Sequence, residues 1–168
     1  EQLLDYNRKQ ADGPVAREAV DLVELVENVV AAHSLPARAK LMHTELTLQA
    51  RRCLAEPALL ISVMDNLYSN AVHYGAESGN IRIHSYRHGE QVRIDVANSG
   101  EPIPAAEKNM IFEPFYQGSH QRKGAVKGCG LGLSIARDCV RQMQGELSLV
   151  DAPAGQVCFR ITLPSARE

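Results

Sequence analysis

Apolar positions along the chain switch between two periods, and the switches mark out the elements. In "VDLVELVENVV", Val20, Val23, Val26 and Val30 recur at helical spacing while Leu22, Leu25 and Val29 widen the stripe, which predicts a helix from about Arg17 to His33. "HTELTLQ" alternates as a strand does, and "RRCLA" is expected to pair with it. Pro57 then opens a longer helix, "EPALLISVMDNLYSNAVHY", which ends at Gly75. "NIRIHSYR" and "EQVRIDVAN" alternate again and meet at His88-Gly89, the pattern of a hairpin. After the turn "SGEPIP", "AAEKNMIF" predicts a short helix and "EPFYQGSHQRKGAVKG" a long polar loop. A helix from about Leu131 to Met143 follows, and "GELSLVD" and "QVCFRITLP" close the chain as two strands around Ala154-Gly155. Helices mixed with hairpins, rather than strictly alternating strand and helix, predict an α+β fold. Its expected form is a two-layer α/β sandwich whose mostly antiparallel sheet is covered by helices on one face.

Two features of this pattern carry chemistry. Asn66 and Asn70 lie four residues apart in an otherwise apolar helix, with His73 and Tyr74 a further turn along the same face. Asparagine competes for backbone hydrogen bonds and is a mediocre helix former, so two on one stripe need a reason. They read either as a solvated helix edge or as two carboxamide oxygens aimed at a metal ion such as Mg²⁺. The second feature is "KGCGLGLSIARD", where Gly128, Gly130 and Gly132 precede a helix at Leu131 onward. Glycines before a helix N-terminus allow close backbone approach to an anion. No strand stands immediately before them, as a dinucleotide loop requires, and the Gly-Lys-Ser/Thr of a Walker loop is missing. Alone, the motif is a phosphate loop of another kind or a hinge.

Four stretches in order decide between these readings. "DNLYSNAVHY", "VANSGEPIP", "IFEPFYQGS" and "KGCGLGLSIA" resemble the N, G1, F and G2 boxes of the ATP-binding catalytic domain of bacterial two-component sensor histidine kinases. That is the Bergerat fold, shared more distantly with gyrase, Hsp90 and MutL. The likeness covers about residues 14–164, and "NLYSNAVHYGAESGNI" is especially similar to the wording of one enterobacterial kinase.

The resemblance implies that Asn66, Asn70 and a nearby base, here His73, hold Mg²⁺ and the phosphates of ATP, with Asn66 and Asn70 as the metal ligands. The family often has Lys where His73 stands, and a histidine there makes phosphate affinity more pH-dependent. Tyr74 matches the aromatic beside adenine. Asn98 and Gly100 fill the G1 box, with Asn98 in the place of the Asp that accepts from the adenine amino group and Pro102 in the place of a glycine. Asn still accepts through its oxygen, without charge assistance. Phe112 and Phe115 match the F box at the base of an ATP lid, residues 117–127 match the lid, and Arg122 and Lys123 are its candidates for the terminal phosphates. Gly128, Gly130, Leu131 and Gly132 then end the lid and set the next helix against the phosphates, as loop and hinge together.

The implied activity is transfer of the γ-phosphoryl group to a histidine on the parent kinase's dimerisation domain, for relay to a response regulator. The phosphoacceptor box itself is missing: "HSLPAR" at His33 has Ser34 where the acid belongs. A nucleotide-binding regulatory module without transferase activity is the competing reading, opened by His73, Asn98 and Pro102. A gyrase-like ATPase is disfavoured, because Asn66 stands where a water-activating Glu belongs and an amide is no general base. Asp65 is next door but about 100° round the helix.

Composition narrows the partners. The chain has 168 residues, 45% of them apolar, and a formal charge of −2, so nothing points to nucleic acid. Cys53, Cys129, Cys139 and Cys158 are scattered singly, which fits reduced thiols rather than a zinc site or a disulfide framework. No run is long and apolar enough for a membrane span. The opening "EQLLDYNRKQ" reads as the end of a helix, so residues 1–12 are expected to be the end of a dimerisation helix or a linker and 13–168 the catalytic domain. The whole is expected to be a monomeric piece of a longer protein, on the cytoplasmic side of an inner-membrane sensor kinase.

Overall fold

A computed structural model of the protein describes residues 15–114 and 132–166. Its elements are β1 (Glu18–Asp21), α1 (Leu22–Ala32), α2 (Ser34–Ala39), β2 (His43–Leu48), β3 (Arg52–Ala55), α3 (Pro57–Tyr74), β4 (Asn80–His88), β5 (Gln91–Ser99), a 3₁₀ turn (Ala105–Glu107), α4 (Gly132–Gln142), β6 (Glu146–Val150) and β7 (Gln156–Pro164). The main sheet has five strands in the order β2-β4-β5-β7-β6. Among the described residues only the β2–β4 pair of this sheet is parallel; β4–β5, β5–β7 and β6–β7 are antiparallel. The expected two-layer α+β sandwich is the fold observed.

Strand alternation sets the layers. Ile81 and Ile83 of β4, Val92, Ile94 and Val96 of β5, and Phe159, Ile161 and Leu163 of β7 are buried toward one face. There they join Leu60, Val63, Met64 and Leu67 of α3 and Ile135, Ala136 and Val140 of α4 in one core. The opposite face carries Arg93, Asp95 and Arg160. Arg160 grips Asp95 with two hydrogen bonds, of 2.9 and 3.2 Å, and Tyr86 donates to the same carboxylate at 3.2 Å. Burial pushes the Cys53 thiol up to about 12 and the Cys158 thiol up to about 11, so both are kept in the unreactive protonated form.

Three local expectations are corrected. The helix predicted from Arg17 begins only at Leu22, and the residues before it form β1. Asp21 caps α1, its carboxylate accepting from the Val23 and Glu24 amides at 2.9 and 3.2 Å, and its own backbone is extended. The segment "RRCLA" pairs not with β2 but with β1, Cys53 opposite Val20. The link after β2 is drawn toward β4 instead of turning back. The Gln49 and Ala50 amides both donate to the Ser85 carbonyl, at 2.9 and 3.1 Å, and Ser85 Oγ donates to the Ala50 carbonyl at 2.6 Å. The short helix after "SGEPIP" is a three-residue 3₁₀ turn that does not propagate.

Gly145, between α4 and β6, is fixed by packing. A Cβ there would collide with the Thr162 carbonyl and stand 2.8 Å from Leu163 Cδ2. Gly145→Ala is therefore expected to destabilise the fold by roughly 1–3 kcal/mol, the range for overpacked cores, read from the urea midpoint at unchanged slope.

Candidate functional site

The site is built where the second half of α3 meets the end of β5 and the start of α4. α3 is an 18-residue helix with Glu56 as N-cap and Pro57 in its first turn. Its apolar residues Leu60, Val63, Met64, Leu67, Ala71 and Val72 face the core, which leaves Asn66, Asn70 and His73 half-buried along its edge. The Asn66 carboxamide reaches α4: its Oδ1 is 3.5 Å from where a Cβ on Gly132 would stand. Asn66 Nδ2 is buried with no hydrogen-bond partner among the described residues. A carboxamide so placed has an oxygen for a metal and an N–H pair for phosphate oxygens, at the N-terminus of an 11-residue helix. The donor set therefore fits a Mg²⁺–phosphate group.

The other end of α3 meets the G1 stretch. His73 and Tyr74 stack edge to face, with centroids 4.7 Å apart and planes at 89°. Tyr74 is partly exposed. A Cβ on Gly100 would be 3.2 Å from both the Tyr74 carbonyl oxygen and Asn98 Nδ2, a tight approach, and its φ of 156° is one that side chains rarely adopt, so glycine is favoured there. Asn98 is buried, and its Nδ2 donates to the Ser99 carbonyl at 2.9 Å. That carbonyl also accepts from the Ala76 amide at 2.8 Å. With its donor end engaged internally, the Asn98 side chain offers its oxygen as acceptor.

Phe112 is buried and packs edge to face on Phe159 at 6.1 Å, with the Arg137 guanidinium 4.7 Å above its ring. The position matched to the F box is thus a core-packing position. Phe115, Arg122, Lys123, Gly128, Gly130 and Leu131 lie outside the described residues, as do Cys129 and residues 1–12. The structure thus brings Asn66 to Gly132, and Tyr74 to Asn98 and Gly100.

Asp65 points elsewhere, as its place on the helix implies. Its Oδ1 lies 2.7 Å from His33 Nε2 at the end of α1. Two residues went unread in the sequence. Arg137, in α4, reaches the Phe112 ring, a contact with no local signature in the sequence. Lys40, in the link before β2, donates to the carbonyls of Val72, His73 and Gly75 at 2.8, 3.0 and 2.7 Å.

Comparison with known proteins places this geometry. The profile described as "Histidine kinase-, DNA gyrase B-, and HSP90-like ATPase" matches residues 55–167. The chain is 71% identical over 167 residues to the sensor histidine kinase GlrK of Escherichia coli K12, and equally to QseE of Escherichia coli O157:H7. The match takes in 99% of this chain and 35% of each relative, so the chain spans about a third of their length. Among solved structures, the nucleotide-free catalytic domain of the histidine kinase ThkA is similar at 28% identity and a TM-score of 0.78, over 90% of this chain and 97% of that one. ThkA in complex with the response regulator TrrA is similar at 27% identity and a TM-score of 0.74, over 89% of this chain and 42% of that one.

Proposed function

The chain belongs to the family of histidine kinase-, DNA gyrase B- and HSP90-like ATPases, and from that membership we propose that residues 13–168 bind Mg-ATP and pass its γ-phosphoryl group to a histidine on the dimerisation domain of a parent sensor kinase. The observation that carries this reading is the meeting of Asn66 with Gly132, which joins the asparagine helix to the second glycine box. Asn66 and Asn70 would hold Mg²⁺, which neutralises phosphate charge when bound. His73 would face the phosphates, Tyr74 the adenine ring, and Asn98 the adenine amino group. Arg122 and Lys123, with Gly128, Gly130 and Leu131, would close over the nucleotide from the lid.

The response regulator captured with ThkA supports a response regulator as the downstream partner here. The names of GlrK and QseE as sensor histidine kinases support a sensor-kinase parent, and we infer for this domain a place on the cytoplasmic side of its membrane. No helix among the described residues is long and apolar enough to cross a membrane. Calorimetric titration with ATP tests the proposal: saturable binding that requires Mg²⁺ is the expected result, and no heat with or without Mg²⁺ rejects it.

Asn98→Asp examines the adenine contact. The change adds charge to the acceptor and removes the donor to Ser99. ATP affinity is expected to be retained or tightened, since a charge-assisted bond is about twice as strong as a neutral one. A tenfold loss in the same titration shows that the tie to Ser99 outweighs the charge.

A further inference from the structure

We propose that Lys40 is a positioning residue for the nucleotide base, acting through the end of α3; the inference rests on the ATP-binding reading above. A helix end leaves its last carbonyls unpaired, and a left-handed glycine commonly satisfies them. Gly75 stands at the end of α3 but is extended, with φ −69° and ψ 160°, so it supplies no such cap. The Lys40 ammonium takes that place. Its three hydrogens match the three acceptors at Val72, His73 and Gly75. A cation also suits the negative end of the helix dipole.

The same residue holds the chain beyond the helix. The Lys40 carbonyl accepts from the Ser78 amide at 2.8 Å, while the Ala76 amide is tied to Ser99. Lys40 thus ties both ends of residues 72–78 to the link before β2, while the Ala76 amide ties their middle to Ser99, between Asn98 and Gly100. Tolerance there is small, because the Tyr74 carbonyl already stands 3.2 Å from the Cβ position of Gly100. Asn66 and Asn70 lie one to two turns back along α3, inside its hydrogen-bonded body. Loosening the helix end therefore bears on base recognition more than on the phosphate contacts of Asn66 and Asn70, with His73 the one phosphate-facing residue that moves with it.

The test uses the whole chain with Lys40→Met, which keeps length and loses the donors, and Lys40→Arg, which keeps the charge. Lys40→Met is expected to weaken Mg-ATP binding at least tenfold, weaken Mg-tripolyphosphate binding no more than threefold through His73, and speed amide exchange at Ala76 with core amides unchanged. Lys40→Arg is expected to restore ATP affinity to within threefold. Unchanged ATP affinity in folded Lys40→Met, or equal losses for ATP and tripolyphosphate, overturns the proposal. Should Lys40→Met fail to fold, Lys40→Gln, which loses the charge and has only two N–H donors for the three carbonyls, carries the same comparison. A wild-type chain that binds no ATP counts against the functional reading instead, and exchange at Ala76 still decides the clamp: unchanged exchange overturns it.

Discussion

Asn70→Ala is expected to remove Mg²⁺-dependent ATP binding almost entirely, a loss of about 100-fold or more. Even an outer partner of a metal site is worth about 10–100-fold in affinity, and Asn70 is proposed as a ligand of the metal itself. The position supports a clean test. Asn70 is half-buried on the edge of α3, next to the core residues Ala71 and Val72 but not among them. Alanine is the best helix former, so α3 is preserved or strengthened by the change. The affinity loss is then separable from unfolding by a melting curve. Asn70→Asp, which keeps an oxygen at the same reach and adds charge, is expected to keep most of the Mg²⁺ dependence. Magnesium-dependent affinity within twofold of wild type in Asn70→Ala rejects the metal assignment.

What could be read from the chain and what could not divides along the range of the interactions. The hairpin of β4 and β5 and the start of α3 are local: alternation, a Gly turn and Pro57 at the first turn suffice. The asparagine face could be read because two helix-poor amides on one helix break a local expectation; of the glycine box only Gly132, at the start of α4, lies among the described residues. β1 was lost because Val20 sits in phase with Val23 and Val26, so the helical stripe runs straight through the strand. Asp21 with Glu24 three residues later was the readable sign that the helix starts at Leu22. The pairing of β3 with β1 spans more than thirty residues and is chosen by the tertiary burial of Cys53 and Ala55, which alternation cannot rank. Lys40 is the sharpest case. A lysine in "RAKLM" carries no signature of its own, and its acceptors lie more than thirty residues downstream. Only the failure of Gly75 to cap α3 in the usual way explains what the lysine does.

The largest expected effect concerns turnover. The chain is expected to bind ATP yet neither label itself nor hydrolyse ATP quickly. Hydrolysis needs a base to activate water. The slot four residues before Asn70 holds Asn66, and the neighbouring carboxylate of Asp65 is turned to His33 at 2.7 Å. Self-labelling needs a positioned acceptor, and His33, at the junction of α1 and α2, is engaged by Asp65 and lies 5.9 Å from the Tyr68 ring. Phosphoryl transfer depends mainly on positioning and charge stabilisation, so a site without its nucleophile stays idle. Supplying the dimerisation helices of the parent kinase, in cis or as a separate piece, is expected to raise transfer from radiolabelled ATP to their histidine from background to a dominant band. The same helices with that histidine replaced should stay unlabelled. Brisk hydrolysis by the chain alone, or label on His33, would mean that these boxes serve an ATPase or an autonomous kinase rather than a domain that waits for its partner.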